Sequence, residues 1–320
     1  MPATKLKEIL TSAGLPSKAE DCSIISINDK GDKLISNIDI FTAIHDDPYM
    51  MGKIAACNVT NDLFALNALN VSNYSAFIGV PTDIPKDFPV KIIDGMRDFL
   101  KDIETDVHGG HTIYNPWPLF GGSASAIIKN SEIIGKRGIK MSDRLILTKP
   151  LGVQPIMAAY RVMKSEIKLL DDYNLDEIKK SIDTGVKCMT TSNRNVVKVI
   201  HEGNFFNSIH AMTDITGFGF AGHLEEMLED SNLGADISQI PVIPTTVSLA
   251  DYFGYRLREG FSPEIAGPML IAVDPKEFDN FIHALEDNNV WWFEVGKISK
   301  KHQSIKFQEK NLLIEVADFK

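Results

Sequence analysis

The sequence contains few of the residues that build disulfide-rich, zinc-binding or membrane-spanning proteins. Its three cysteines, Cys22, Cys57 and Cys188, are too few and too widely spaced for a disulfide framework or a cysteine-based zinc site. This usage indicates reduced thiols. No segment approaches the ~20 consecutive apolar residues of a transmembrane helix, and residues 1–15 contain no apolar stretch of signal-peptide length. We therefore expect a cytoplasmic protein that does not bind membranes.

Positive charge is also scarce. The chain has 33 Lys and Arg residues against 43 Asp and Glu residues, a formal net charge of −10. This balance disfavours a nucleic-acid partner, because phosphate backbones are bound mainly by clustered Lys and Arg. It is compatible with a phosphorylated small molecule, because carboxylates can hold divalent cations that in turn bind phosphates.

Several common nucleotide-binding and catalytic motifs do not occur. There is no Gly-x-x-x-x-Gly-Lys-Ser/Thr loop, no protein-kinase catalytic loop, no Gly-x-Ser-x-Gly elbow and no His-Glu-x-x-His pair. If this chain binds ATP, we expect it to do so through carboxylates and metal ions rather than through a loop that wraps the phosphates.

The length and the hydrophobic pattern indicate two domains. At 320 residues the chain exceeds one typical core, and the pattern restarts with a strand at 144–147, so we predict domains at 1–142 and 143–320. The first half reads β-β-α-β-α-β, which is typical of an α+β sandwich. Its predicted elements are a helix at 5–13, a hairpin of strands 22–27 and 33–40, helices at 48–66 and 86–104, and strands at 74–80 and 120–128.

The second half alternates shorter elements. Helices are predicted at 155–163, 175–189, 218–228 and 275–287, strands at 208–212, 269–273 and 291–298, and a hairpin around Glu309, Lys310 and Asn311.

The most distinctive motif is Ala-Met-Thr-Asp-Ile-Thr-Gly-Phe-Gly-Phe-Ala-Gly-His at 211–223. Gly217, Gly219 and Gly222 match a dinucleotide-binding fingerprint, with Asp236 near the expected spacing. We reject that interpretation because short, proline-containing segments follow and because Asp214 would repel a pyrophosphate. A metal ion bound to the carboxylate would turn this repulsion into attraction, so the motif favours metal-bridged phosphates. The alternative is a structural turn in which Asp214 caps the helix.

Two further segments are candidates for a binding site. Asp62 lies one turn after Asn58 on a largely apolar helix, where a carboxylate is costly unless it is hydrogen-bonded or binds a metal. The simpler alternative is a hydrogen-bonded core aspartate. Gly109-Gly110-His111-Thr112 is predicted to be a loop whose glycines approach a ligand closely. His108 and His111 are a weak metal signal at that spacing.

Together these segments resemble the selenophosphate synthetase (selenide, water dikinase) family, within the superfamily of aminoimidazole ribonucleotide synthetase. The matching segments are Glu20-Asp21, residues 39–48, residues 52–65, residues 109–112, Leu-Thr-Lys-Pro-Leu-Gly at 147–152, and residues 212–223. The resemblance implies two α/β-sandwich domains and a homodimer in which the N-terminal sheets form a β-barrel. It also implies a reaction in which ATP phosphorylates selenide, a small anionic acceptor, giving selenophosphate, AMP and phosphate.

The resemblance also implies roles for individual residues. Mg²⁺ on the ATP phosphates would be bound by Asp21, Asp62 and Asp214. Contacts with the nucleotide would come from Asp39, Asp62, Gly110, His111, Thr112, Lys149, Thr216 and Gly217, of which Asp39 and the 110–112 segment would contact nucleotide bound mainly by the other subunit. We expect Asp62 and Asp214 to converge on one cleft.

The sequence departs from the family where selenium is handled. Family members carry a Cys or selenocysteine, and a Lys three residues later, before the first metal-binding Asp; here no cysteine precedes Asp21. Lys18-Ala19-Glu20 replaces a Gly-Asn-Asp-like triplet, Tyr114 replaces an acid, and residues 262–268 read Ser-Pro-Glu-Ile-Ala-Gly-Pro. No catalytic residue is assigned. We expect Mg-ATP binding with little selenophosphate formation.

Three hypotheses remain open. The first is an ATP-dependent phosphotransferase of this family. The second is a non-catalytic relative that binds nucleotide or dimerises for regulation. The third, ranked far behind, is a dinucleotide-dependent oxidoreductase that uses Gly217 to Gly222.

Overall fold

The computed structural model describes residues 3–15, 20–300, 303–308 and 312–319, and within these the chain divides into two compact units. The N-terminal unit comprises Asp21–Ile133 and Met189–Lys198. The C-terminal unit comprises Ile134–Cys188, the chain from Val199 onward, and the segment that ends at Glu20. The division after Ile133 falls upstream of the boundary predicted at 142. Lys18 and Ala19, which stand where the family has part of its triplet before the first metal-binding Asp, lie outside the described residues.

The N-terminal unit is one mixed sheet with two long helices. Its elements are β1 (Ser23–Ser26), β2 (Asp32–Thr42), α2 (Pro48–Ala65), β3 (Asn73–Val80), α3 (Phe88–Asp102), β4 (Gly109–Tyr114) and β5 (Leu119–Lys129), preceded in the chain by α1 (Ala3–Ser12). The strand order is β1-β2-β5-β3-β4, antiparallel except for the β3–β4 pair. The predicted hairpin, the two helices at 48–66 and 86–104 and the two further strands at 74–80 and 120–128 are confirmed.

Helix α2 is fixed by its first turn and by close packing against α3. The Asp47 side chain accepts a hydrogen bond from Tyr49 N at 2.9 Å, and Pro48 occupies the first turn, where its missing N–H costs nothing. Farther along, a Cβ at Gly52 would collide with the carbonyl oxygen of Ile92, and a Cβ at Gly95 with that of Tyr49. Glycine at these two positions therefore allows the two backbones to touch.

The two faces of this sheet differ in exposure. Along β2, alternate residues point to opposite faces. The face that carries buried Ile35 packs on α2, whereas Ile38 and Ile40, on the other face, are 70% and 41% exposed. On the neighbouring strand β5, Ile127 is 56% exposed on the same outer face. We call Ile38, Ile40 and Ile127 the outer apolar face.

The C-terminal unit is built on a six-stranded sheet. The elements from residue 134 onward are β6 (Arg144–Leu147), α4 (Val153–Ser165), α5 (Leu175–Thr190), α6 (Arg194–Glu202), β7 (Ile209–Asp214), α7 (Gly219–Leu228), β8 (Gly234–Ile237), β9 (Ile240–Val242), α8 (Thr246–Phe253), β10 (Met269–Val273), α9 (Phe278–Asp287), β11 (Phe293–Ser299), β12 (Ile305–Phe307) and β13 (Leu313–Glu315). The sheet order is β12-β8-β11-β6-β10-β7, and β13 pairs with β9 in a small second sheet.

The sheet order bears on the glycine motif at 217–222. In a dinucleotide-binding βαβ unit, the strands before and after the helix run parallel in one sheet and lie close together. Here β7 precedes α7 and β8 follows it, but three strands lie between them. The glycine turn therefore belongs to a different topology from that of the fingerprint it resembles.

Several local predictions are wrong. Residues 109–114 form strand β4 rather than a loop, because Gly110, which has no Cβ, allows the carbonyl oxygen of Ala76 on β3 to approach closely. The hairpin expected around residues 309–311, which lie outside the described residues, is contradicted by its flanking strands, since β12 pairs with β8 and β13 with β9. Helices α6 and α8 were not predicted; α6 is rich in β-branched residues, whose low helix propensity is overridden by packing.

Within the described ranges, no helix combines the length and apolar character that crossing a bilayer requires.

The contact between α2 and α3 yields a stability prediction. We expect Gly52→Ala to lower the free energy of unfolding by about 1–3 kcal/mol, because the added methyl group forces the helix backbones apart. Gly109→Ala is the matched control in the same unit, since the nearest atom to its Cβ would be Ser75 Oγ at 3.9 Å. Urea denaturation followed by circular dichroism measures both. Equal effects of the two substitutions would contradict the close-packing account.

Candidate functional site

Two polar residues on β2 face two polar residues on α2. Asn37 and Asp39 lie two residues apart on the helix-facing side of β2, and Asn58 and Asp62 lie four residues apart on α2. Asn37 Nδ2 donates to Asp62 Oδ2 and to the carbonyl oxygen of Val59, each at 2.9 Å. Asn58 Nδ2 donates to Asp39 Oδ2 at 3.2 Å. Each aspartate is thus held by an amide from the opposite element.

Negative charge accumulates at this cluster. Burial, and then the charge of Asp21, raise the pKa of Asp39 to about 6. Burial, followed by the charge of Asp39, also raises the pKa of Tyr74 above its ordinary range. Carboxylates in a partly buried, low-dielectric site attract a divalent cation because it removes their mutual repulsion.

The donor atoms at this cluster fit Mg²⁺. Asp21, Asp39 and Asp62 supply carboxylate oxygens, and Asn37 Oδ1 is a buried acceptor with no hydrogen-bond donor among the described residues. Oxygen donors are those that Mg²⁺ prefers. Across the described residues, no group of three or more His, Cys, Asp or Glu side chains is already gathered as a metal cluster. Mg²⁺ typically binds through one or two carboxylates and completes its shell with phosphates and water.

The segment 110–112 lies on β4, an edge strand of the N-terminal sheet. Gly110, His111 and Thr112 are all exposed, and they pair with Ala76, Phe77 and Ile78 of β3. The His111 ring lies 6.5 Å from the Phe77 ring. These residues therefore occupy a sheet edge rather than a flexible loop.

In the C-terminal unit, the predicted residues cluster around the turn after β7. Asp214 is the last residue of β7 and is buried. Thr216 N donates to His223 Nε2 at 3.1 Å, and Thr216 O accepts from Glu264 N at 3.0 Å. A Cβ at Gly217 would meet no atom within 4 Å, so this residue borders open space. A ligand can therefore approach the backbone at Gly217 closely.

Lys149 and Glu264 form part of a buried polar network in the same unit. Lys149 is 1% exposed, and its Nζ donates to the carbonyl oxygens of Cys188 and Ala266 at 3.0 and 2.7 Å. Glu264 accepts from Gly152 N at 2.8 Å and Val153 N at 2.9 Å, at the start of α4. Burial raises the pKa of Glu264 to about 8, against the opposing effect of these two N–H donors. The Lys149 ammonium is thus engaged with backbone carbonyls.

Comparison with known proteins places this chain among named relatives. A selenide, water dikinase from Methanococcus maripaludis is 42% identical over 284 residues, which cover 87% of this chain and 83% of the relative. Another from Methanocaldococcus jannaschii is 39% identical over 314 residues, covering 94% of this chain and 89% of the relative. The chain belongs to the selenide, water dikinase family. Residues 19–128 and 140–307 match the N-terminal and C-terminal domains of AIR synthase related protein.

A solved structure shares the fold. AaThiL complexed with AMPPCP and TMP superimposes with a TM-score of 0.72 at 12% identity, covering 95% of this chain and 94% of that chain. Sequence identity this low shows the fold alone. The predicted α+β class and the family resemblance are confirmed, whereas the β-barrel across a homodimer and the roles of individual residues stay predictions.

The structure adds residues to those that the family motifs indicate. Asn37, His223 and Glu264 contact predicted site residues, but no role was assigned to them from the sequence. Asn37 could have been found from the sequence, because it lies two residues before Asp39 and therefore on the same face of β2. His223 could have been found because it belongs to the glycine motif. Glu264 had no local signal, because its partners at Gly152 and Val153 are more than 100 positions away.

The raised pKa of Asp39 predicts a pH-dependent stability. The pKa of about 6 in the folded protein exceeds the ordinary value of 3.8, so ionisation destabilises the fold progressively as the pH rises from about 4 to above 6. Asp39→Asn removes this effect. Without Mg²⁺, the unfolding free energy of the variant relative to wild type should rise by about 1–3 kcal/mol between pH 4 and pH 7.5.

Urea denaturation at the two pH values measures this difference. Asp29→Asn, at an exposed position in the β1–β2 turn, is the control and should show no comparable change. A pH-independent difference for Asp39→Asn would rule out a strongly raised pKa.

Proposed function

We propose that this protein binds Mg-ATP and acts as a phosphotransferase of the selenide, water dikinase type. In that reaction ATP, selenide and water give selenophosphate, AMP and phosphate. The observation that carries the proposal is the pair of Asp39 and Asp62, each held by an asparagine amide, with the charge of Asp21 acting on Asp39. The pair lies in the N-terminal unit of a chain that is 42% identical to a selenide, water dikinase. The family resemblance supplies the reaction, and the cluster supplies the oxygen donors for a divalent cation.

In this proposal Asp21, Asp62 and Asp214 hold Mg²⁺. The bound ion would neutralise phosphate charge during phosphoryl transfer. Asn37 and Asn58 keep the carboxylates of Asp62 and Asp39 in position through their hydrogen bonds. Such oriented second partners tune both the geometry and the basicity of metal ligands.

Contacts with the nucleotide are proposed for two further groups of residues. Thr216 and Gly217 offer backbone at the turn that precedes α7, where the helix N-terminus favours phosphate. The edge-strand segment 110–112, with Asp39, would contact nucleotide bound mainly by a second subunit. Lys149 contributes by fixing the segment at Ala266 through its carbonyl contact.

Substitution of Asp62 tests the proposal. We expect Asp62→Asn to weaken Mg-ATP binding by ~10-fold or more, because truncating the charge of one metal ligand typically costs a few kcal/mol. Isothermal titration calorimetry of the purified chain with ATP and Mg²⁺ measures the affinity. Asp83→Asn, at an exposed position in the same unit, is the matched control. Unchanged affinity in Asp62→Asn, or wild-type protein that does not bind Mg-ATP, would contradict the proposal.

A second candidate is a relative that binds nucleotide without making selenophosphate. Two observations favour it: Cys22, which directly follows Asp21, is buried, and Tyr114, at the position of a family acid, is 79% exposed. Phosphorus NMR of the products formed from ATP and selenide separates the two functions. Selenophosphate at a substantial rate supports the dikinase, and its absence despite Mg-ATP binding supports the second candidate.

The outer apolar face supports the proposal of a homodimer. Exposed isoleucines on neighbouring strands form a patch that a second copy of the same sheet would cover. Such pairing would bring the outer faces of two sheets together, as in the barrel that the family resemblance implies.

Charge placed on this face tests the homodimer. We expect the wild-type chain to be a dimer at micromolar concentration and the Ile38→Lys/Ile127→Lys variant to be a monomer, because two lysines cannot be buried there without partners. Light scattering coupled to size-exclusion chromatography gives the mass. The control is Ile93→Lys, on an exposed position of α3, away from the sheet. A monomeric wild-type protein would refute the dimer.

A further inference from the structure

A run of ionic and hydrogen-bonding contacts crosses the C-terminal unit from Glu20 to Thr216. Glu20 accepts from Lys136 N at 3.0 Å and from Arg137 Nη1 at 2.7 Å. The Lys136 ammonium, which is almost fully buried, lies 3.2 Å from Glu226 Oε2 on α7. Glu226 in turn lies 3.5 Å from His223 Nδ1, one turn earlier on the same helix.

The last link reaches the glycine turn. His223 Nε2 lies 3.1 Å from Thr216 N and 3.3 Å from Thr216 Oγ1. The run therefore starts at the residue before Asp21 in the chain and ends at the turn that follows Asp214. Both aspartates are proposed to hold Mg²⁺. Burial alone would favour neutral Glu226, but contacts with His223 and Lys136 outweigh it and lower the pKa of Glu226 to about 2.

The contact with Thr216 fixes the tautomer of His223. A backbone N–H can only donate, so Nε2 must accept and carries no proton. The proton of the neutral ring is then on Nδ1, which faces the Glu226 carboxylate. His223 is 5% exposed, and its ring packs against that of Phe218, with the two ring centroids 5.3 Å apart. The ring therefore has little freedom to turn.

We propose that His223 is a positioning residue for nucleotide binding: as the Nδ1–H tautomer, with Nδ1 3.5 Å from the Glu226 carboxylate, it holds the Thr216–Gly217 turn in place through Nε2. The effect of His223 on nucleotide binding rests on the proposed function, since the turn is one of the proposed nucleotide contacts. A glycine turn has many alternative conformations, and a fixed acceptor for Thr216 N selects one of them. His223 itself does not need to touch the nucleotide.

Two substitutions separate the hydrogen bond from the shape of the side chain. In His223→Gln, the Oε1 atom can take the place of Nε2 as an acceptor for Thr216 N, whereas His223→Leu fills similar space without an acceptor. We expect His223→Leu to weaken Mg-ATP binding by ~10-fold, and His223→Gln by no more than ~3-fold, because only the first leaves the partly buried Thr216 N–H without a partner.

A matched control lies on α9. His283 and Glu286 have the same i, i+3 spacing as His223 and Glu226, but the His283 side chain is 77% exposed. His283→Leu should leave Mg-ATP affinity unchanged. Calorimetry with Mg-ATP measures all three variants, and melting temperatures without ligand show whether each variant is folded.

The tautomer is measured independently of nucleotide in the wild-type protein. Long-range ¹H–¹⁵N correlation spectra of the imidazoles should show His223 with a protonated Nδ1 and an unprotonated Nε2. A protonated Nε2 would overturn the proposal, as would equal loss of affinity in the Gln and Leu variants or no loss in the Leu variant. If wild-type protein with the expected tautomer fails to bind Mg-ATP, the proposed function fails and the role of His223 in binding fails with it, while the tautomer assignment stands.

Discussion

The two hydrogen bonds that Asn37 donates to α2 are the constraint on which the N-terminal part of the site depends. One goes to the carbonyl oxygen of Val59 and the other to Asp62, so a single amide fixes both the helix backbone and its carboxylate against β2. A carboxylate in this partly buried position would be costly without such a partner. The same pairing leaves Asn37 Oδ1 as a buried acceptor among carboxylates, a set of atoms suited to a hard cation.

The C-terminal unit uses backbone contacts in an analogous way. Ile215 N donates to the carbonyl oxygen of Pro268 at 2.9 Å, and Glu264 N donates to that of Thr216 at 3.0 Å. A Cβ at Gly267 would collide with the carbonyl oxygen of Ile215, so the two segments lie in direct backbone contact. The sequence at 262–268, which departs from the family pattern, thus holds the glycine turn while Glu264 also reaches the start of α4.

These contacts also explain how far the sequence could predict the molecule. The hairpin of β1 and β2 and the helix α2 follow from local patterns: β-branched runs around a polar turn, and helical periodicity after a proline. The acidic residues Asp62 and Asp214 stood out because their neighbours are apolar or glycine-rich. Those signals are local. The structure places Asp62 on the predicted helix, whereas Asp214 ends a strand that continues two residues beyond its predicted end at 212.

What could not be predicted depends on distant segments. Strand β4 contains paired glycines, which local propensity disfavours in strands, and it forms because β3 accepts it as a parallel neighbour. The burial of Lys149 could not be predicted from the local sequence, since its carbonyl partner at Ala266 is 117 positions away. Asn37 resembles an ordinary polar residue of a half-exposed strand until α2 is placed against it.

A crystal structure of the protein with AMPPCP and Mn²⁺ in place of Mg²⁺ tests the central claim most directly, because anomalous scattering locates the metal without assumption. The account predicts anomalous peaks at ligand distance, ~2.0–2.2 Å, from carboxylate oxygens of Asp21, Asp62 and Asp214, with the metal bridging to the phosphates. Nucleotide bound with its metal held by other residues, or with the carboxylates of Asp62 and Asp214 more than about 10 Å apart and sharing no metal site, would contradict it.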